Sequence, residues 1–158
     1  MTKTSWESKQ SLRVVHLLLT SYQNSYGKKL LDPSKSLYSV KNAGAMLFNI
    51  KNPVMAHDNA KDPCLNYAND AALKLWDMGW NEMIGMPSRL TTPKKEQEQR
   101  NKALNQATKT QAIKNYQGIR VNSNGELFII KNARIWTILD EQGNIFGQGA
   151  TFNCWWKI

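Results

Sequence analysis

"CLNYANDAALKLWDMGWNEMIG", residues 64–85, decides how this chain folds. It opens on a short extended run, passes through Asn69 and becomes a helix of barely two turns. Asn69 reads as an N-cap, because its side-chain oxygen can accept from the free backbone N–H groups that open a helix. Asp70 follows in the first turn, where a negative charge meets the positive end of the helix dipole. Ala72, Leu75 and Trp76 form the expected buried side. Gly79 suits the left-handed position past a helix end. Asn81 is expected to cap the next turn and Gly85 to stop it. Trp76, Met78, Trp80, Met83 and Met86 thus sit on elements too short to bury them alone, so they close over either a filled core or a ligand pocket.

Upstream, "VMAHD" (54–58) and "CLNYA" (64–68) are extended runs joined by the turn formers "NAKDP", which predicts a hairpin. Residues 36–49 predict a helix with Leu37, Val40, Gly44, Leu47 and Phe48 on one side, ended by Pro53. "LDPS" at 31–34 is a turn signal. Residues 6–26 predict an amphipathic helix, with Leu12, Val15, Leu19, Tyr22 and Tyr26 spaced 3, 4, 3 and 4 apart and Gly27 as its stop. That stripe can pack on its own domain or on a second copy, and a homodimer through residues 6–26 is the expected partner interaction. A protein partner is the other candidate.

Downstream, 91–111 predict a longer helix capped by Thr92 with Pro93 in its first position. Its apolar side is thin: Ala103, Leu104 and Ala107. Residues 113–122, 126–139 and 145–156 are strand-like, joined by "SNGE", whose Asn124-Gly125 is a hairpin signal, and by "DEQGN". Strict alternation puts Leu127, Ile129, Ala133, Ile135 and Leu139 on one face of the middle strand, and Phe128, Ile130, Arg134, Trp136 and Ile138 on the other. The order predicts an α+β fold: a five-stranded antiparallel sheet, short helices over one face, and an N-terminal helical extension. The expected division is an extension at 1–35 and a domain at 36–158.

This order resembles the PAS domain, and three segments narrow the resemblance. "FNIKNPVMAHD", "NYANDAALKLWDMGWNEMIGMPSRLT" and "NYQGIRVNSNGELFIIKNARIWTILDEQGNIFGQGATF" are similar to the MEKHLA domain, a PAS-related family. It occurs alone in bacteria, notably cyanobacteria, and at the end of plant class III homeodomain–leucine zipper proteins. "MPSRLT" and "GQGATF" are the most specific parts. Gly149 stands where the family pattern has Ala, and a glycine leaves the strand less constrained there. The resemblance implies a PAS-like fold and a role in sensing and signal transduction.

Cofactor chemistry of PAS relatives fits poorly. Flavin photochemistry uses a Cys in a "GRNCRFLQ"-type motif, and the matching "GMPSRLTT" has none. Haem-binding relatives place a His on the longer helix, and residues 91–112 have none. The cofactor is therefore unknown, with Cys-linked flavin and His-ligated haem disfavoured. In a PAS-like fold the candidate pocket is lined by Trp76, Trp80, Met83 and Trp136, with Asn69, Arg89, Tyr116 and Gln148 to orient a small molecule. Phe128 and Arg134 are further neighbours. Cys64 and Cys154 have no metal-ligand spacing. His57 beside Asp58 forms no acid–base pair, because adjacent strand residues point to opposite faces. No nucleophile or phosphate-loop motif is present, so the expectation is a non-catalytic sensory domain that binds a small ligand. A homodimerisation module with a filled core is the alternative.

The composition agrees with one globular domain: 158 residues, 41% hydrophobic and 21% charged. The formal net charge is +9, but the basic residues form no run longer than two. That excess reads as surface solubility rather than a nucleic-acid footprint, so nucleic acid is not an expected partner. The apolar stretch "VVHLLL" is too short to span a bilayer. No membrane association and a cytoplasmic location are expected.

Overall fold

The computed structural model describes residues 5–31 and 40–158, with side chains from 42 onward in the second span. The "LDPS" turn beyond Leu31 and the first residues of the predicted second helix lie outside the described residues. Asn69 behaves as its position demands. Its Oδ1 accepts from the Ala72 N–H (3.1 Å) and the Val54 N–H (2.9 Å). Its Nδ2 donates to Leu47 O (3.1 Å) and Asn52 O (2.9 Å). One buried amide thus caps a helix and ties it to the segments on either side.

The helices are α1 (Lys9–Tyr26), α2 (Val40–Asn49), α3 (Asp70–Trp76), α4 (Trp80–Met83) and α5 (Gln97–Thr110). The strands are β1 (Val54–Asp58), β2 (Leu65–Ala68), β3 (Ala112–Val121), β4 (Leu127–Leu139), β5 (Ile145–Thr151) and β6 (Cys154–Lys157). All pairings are antiparallel, in the order β2-β1-β5-β4-β3, with β6 also on β4. The third predicted strand is thus broken into β5 and β6. Phe152, between them, turns into the core beside Trp76, with ring centroids 6.2 Å apart.

Helices cover both faces of the sheet. On one face, α3, α4 and α5 pack over Phe128, Ile130, Ala133 and Ile135. On the other, α1 lays Val14, Val15, Leu18 and Tyr22 against Val54, Ala56, Tyr67, Trp136 and Ile138. The apolar stripe of α1 is therefore consumed within the protomer. It runs through Val14 and Leu18, with Leu12, Leu19 and Tyr26 at its flanks. Ser8 caps α1 by accepting from the Ser11 N–H (3.1 Å), and Gly27 ends it at φ 72°.

Several local expectations fail for identifiable reasons. Strict alternation breaks in β4 at Asn132, which is left-handed at φ 54°. Asn115 in β3 is also left-handed, and the β3–β4 register shifts on either side of Tyr116. These irregularities move Ala133 and Ile135 to the face of Phe128 and Ile130, and send Arg134, Trp136 and Ile138 to α1. Past α3 the left-handed residue is Asp77 (φ 54°), not Gly79. Gly79 is itself the N-cap of α4, and its N–H donates to Glu82 Oε1 (3.2 Å), while Asn81 lies inside the helix. Pro93 precedes a short 3₁₀ turn, Lys94–Glu96, so α5 begins only at Gln97 and Thr92 does not cap it.

Candidate functional site

Between the sheet, α3 and α5 lies a cavity. About 40 Å³ of it is open to the centre of a water-sized sphere. One water needs about 10–15 Å³ on that scale, so the space is worth about three waters. Most of its wall is apolar: Met55, Leu65, Trp76, Ile130, Ile135 and Phe152. Its polar groups are His57, Arg100, Tyr116, Arg120, Gln148 and Thr91, whose hydroxyl donates to Ser88 O at 2.7 Å.

Those polar groups are placed by ordinary strand and helix periodicity. Arg100 occupies the turn of α5 in phase with Ala103, Leu104 and Ala107, which directs it inward. It is 7% exposed, and its Nη2 donates to Ser88 Oγ at 2.9 Å. Tyr116 and Arg120 lie on the same side of β3 with Gly118 between them. A Cβ at Gly118 would fall 2.6 Å from the Tyr116 hydroxyl and 2.8 Å from Arg120 Nη1, so a larger residue would have to push these side-chain ends aside. Arg120 is 5% exposed. It donates to Ile119 O (2.9 Å) and to the Tyr116 hydroxyl (3.4 Å), which in turn donates to Gln99 Oε1 (2.8 Å).

The electrostatics of this cluster are one-sided. The ion pairs among the described residues are Arg13–Glu141, Lys74–Asp70, Arg89–Asp62 and Lys157–Glu126, all on the surface. None involves Arg100 or Arg120. Burial, then the neighbouring charge of Arg120, pulls Arg100 down to about 10. His57 is 8% exposed, and burial is the main cause lowering its pKa, so the ring is held neutral. Its Nδ1 lies 2.8 Å from Asp58 O. A carbonyl only accepts, so Nδ1 carries the proton and Nε2 presents a lone pair. That Nε2 is buried without a hydrogen-bond partner.

A polar groove of about 420 Å³ lies outside the cavity. His57, Arg100, Leu104 and Gln148 line both spaces and form the wall between them. Gln148 Nε2 donates to Leu104 O (2.9 Å) and Thr108 Oγ1 (3.3 Å), and Thr137 Oγ1 donates to Ala107 O (3.1 Å). The wall is thus stitched from β4 and β5 to α5.

Of the eight residues expected at a pocket, the cavity brings together Trp76, Tyr116 and Gln148. Asn69 is fully used in its four hydrogen bonds. Met83 is in the core beneath α4, and Trp80 packs on Tyr67 with centroids 5.9 Å apart. Arg89 is exposed, pairs with Asp62 at 3.3 Å, and lines the groove. Trp136 lies on the opposite face of the sheet, donating to Leu18 O at 3.2 Å. Arg134 is on that face too, stacked over Tyr22 and Tyr26. Arg100, Arg120 and His57 were missed, although a lone Arg in the apolar phase of α5 is a readable signal.

A family model for the MEKHLA domain matches residues 12–157. The chain belongs to the MEKHLA domain family. No curated protein matches it. Solved structures place the MEKHLA fold among PAS domains. A PAS domain from Colwellia psychrerythraea is similar at 14% identity and TM-score 0.60, covering 72% of this chain and 92% of that one. A light-oxygen-voltage domain studied with a flavin analogue is similar at 15% identity and TM-score 0.58, covering 77% and 86%. An RNA-binding light-oxygen-voltage receptor is similar at 17% identity and TM-score 0.62; the match covers 80% of this chain and 36% of that receptor. At these identities the likeness is one of fold.

The MEKHLA cavity does not fit a flavin. A three-ring isoalloxazine far exceeds room for about three waters. Neither Cys64 nor Cys154 lines the cavity, and Cys64 lies against Asp62 O. Among the described residues no helix is long and apolar enough to cross a membrane, and no His, Cys, Asp and Glu cluster has the makings of a metal site.

Proposed function

We propose that this MEKHLA protein is a non-catalytic sensory domain that binds a small molecule in the cavity between the sheet and α5. One observation carries the reading: the cavity and the outer groove share a wall, and that wall is also the junction between sheet and α5. A molecule passing from groove to cavity displaces Gln148, and so acts on the bonds that hold α5 to β5, or displaces Arg100, and so acts on its bond to Ser88. The cavity lining contains no carboxylate and no Cys to pair with a neutral His57. The family's relation to PAS sensory domains supports the same reading.

A thermal-shift screen of small neutral, cationic and anionic compounds tests it, alongside Ala133→Val, which fills the cavity. The expected result is stabilisation by at least one class, lost in the variant. A screen in which no compound shifts the melting temperature overturns the proposal.

The alternative, a homodimerisation module, has its support on a different surface from residues 6–26. Trp156 on β6 and Ile158 just beyond it are exposed, and exposed apolar patches mark interaction surfaces. Light scattering on the full chain and on Trp156→Ser tests that reading; a monomer in both ends it.

A further inference from the structure

Arg100 and Arg120 form a buried pair of like charges with no acid opposite among the described residues. Placing a charge in a protein interior is unfavourable by several kcal/mol unless a counter-charge and hydrogen bonds offset it. Here two guanidiniums line one small cavity, each more than nine-tenths buried. Their protein partners are neutral: Ser88 Oγ, Ile119 O and the Tyr116 hydroxyl. The fork of a guanidinium matches a planar carboxylate, which would supply the missing charge.

A second group in the same cavity narrows the chemistry. His57 Nε2 is buried and makes no hydrogen bond of good geometry, with the Gln148 side chain beside the ring. A bare carboxylate would face its lone pair with another acceptor. A ligand with a hydroxyl beside its carboxylate satisfies both, its anionic end on the arginines and its O–H donated to His57. The remaining wall is apolar, formed by Trp76, Ile130, Ile135 and Phe152, which suits a short hydrocarbon and disfavours a multiply charged anion. Room for about three waters matches an acid of about two or three carbons.

We infer that the cavity is a site for a short-chain hydroxycarboxylate, its carboxylate held between Arg100 and Arg120 and its hydroxyl by His57. This rests on the sensory reading above and specifies the ligand class of the same cavity.

Calorimetry and thermal shift with lactate, propionate, lactamide, chloride and phosphate test the inference. Lactate is expected to bind at least tenfold more tightly than propionate, and lactamide, chloride and phosphate not measurably. Arg120→Met is expected to abolish lactate binding without lowering the melting temperature of the free protein, since it removes an unpaired charge. Arg120→Lys keeps the charge but loses the fork, and is expected to lose most of the affinity. His57→Phe is expected to bring lactate down to the level of propionate and leave propionate unchanged. Lactamide binding as tightly as lactate overturns the inference while the sensory reading stands. Equal binding of chloride or phosphate overturns the carboxylate class, and equal binding of propionate overturns the role of His57. Failure of every compound in the broader screen removes both proposals together.

Discussion

The indole of Trp136 occupies the place where Gly149 would carry a side chain. The two residues are cross-strand partners on β4 and β5, and a Cβ at Gly149 would lie 2.7 Å from Trp136 Cζ2. The glycine therefore does not loosen the strand; it admits a ring that is fully buried under α1. Gly149→Ala should force that ring, and Leu18 whose carbonyl it bonds, out of place. Overpacking of this kind is destabilising by about 1–3 kcal/mol. Urea denaturation of the variant measures it, and an unchanged midpoint would mean that the indole has room to shift.

Asn69→Ala removes more than a helix cap. The cap alone is worth about 1 kcal/mol. The Val54 N–H and the carbonyls of Leu47 and Asn52 would also lose their side-chain partner in the interior. Each stranded buried group adds about 1–3 kcal/mol when water cannot reach it. With each of the three groups at the low end of that range, the expected loss is about 4 kcal/mol in chemical denaturation. Asn69→Asp should be no milder, because a carboxylate keeps the acceptor but faces two carbonyl oxygens without a donor.

What the sequence revealed, and what it hid, follows from the range of the forces involved. Asn69 before a short helix and Asn124-Gly125 between strands are local signals, and both are where they were read, with Gly125 at φ 78°. The face of Trp136 was misread because alternation was carried unbroken through Asn132. A left-handed asparagine inside a strand is a local event, but nothing in periodicity alone marks it. Arg100 was legible in principle, since it falls in phase with Ala103, Leu104 and Ala107. That no acid meets it is a matter of three-dimensional neighbours and could not be read along the chain.

His57 gives stability a definite dependence on pH. Its folded-state pKa is lowered from 6.5, chiefly by burial, and the charge of Arg100 lowers it further. Asp58 and Gln148 oppose this in smaller part. Below the unfolded pKa the unfolded chain takes up a proton that the folded chain refuses. Stability should therefore fall as pH drops below about 6.5, until the depressed folded pKa is passed, and should be restored on raising the pH. Urea midpoints between about pH 7 and about pH 5 measure the slope, and His57→Gln should flatten it. An equal slope in the variant would assign it to other groups.

The N-terminal helix is the element whose removal the core should tolerate least. Val14, Val15, Leu18 and Tyr22 of α1 lie on Trp136, Ile138 and Tyr67, and the Ser21 hydroxyl oxygen accepts from the Leu139 N–H at 3.0 Å. Deleting residues 1–30 would expose to water the apolar sheet surface that these side chains cover. Contiguous exposed apolar surface of this kind drives association. The truncated chain is expected to scatter light with a mass well above one protomer and to lose its cooperative melting transition. A monodisperse truncated monomer with an unchanged melting temperature would show instead that α1 is an appendage. The cavity would then report to the sheet alone, with no path through its far face.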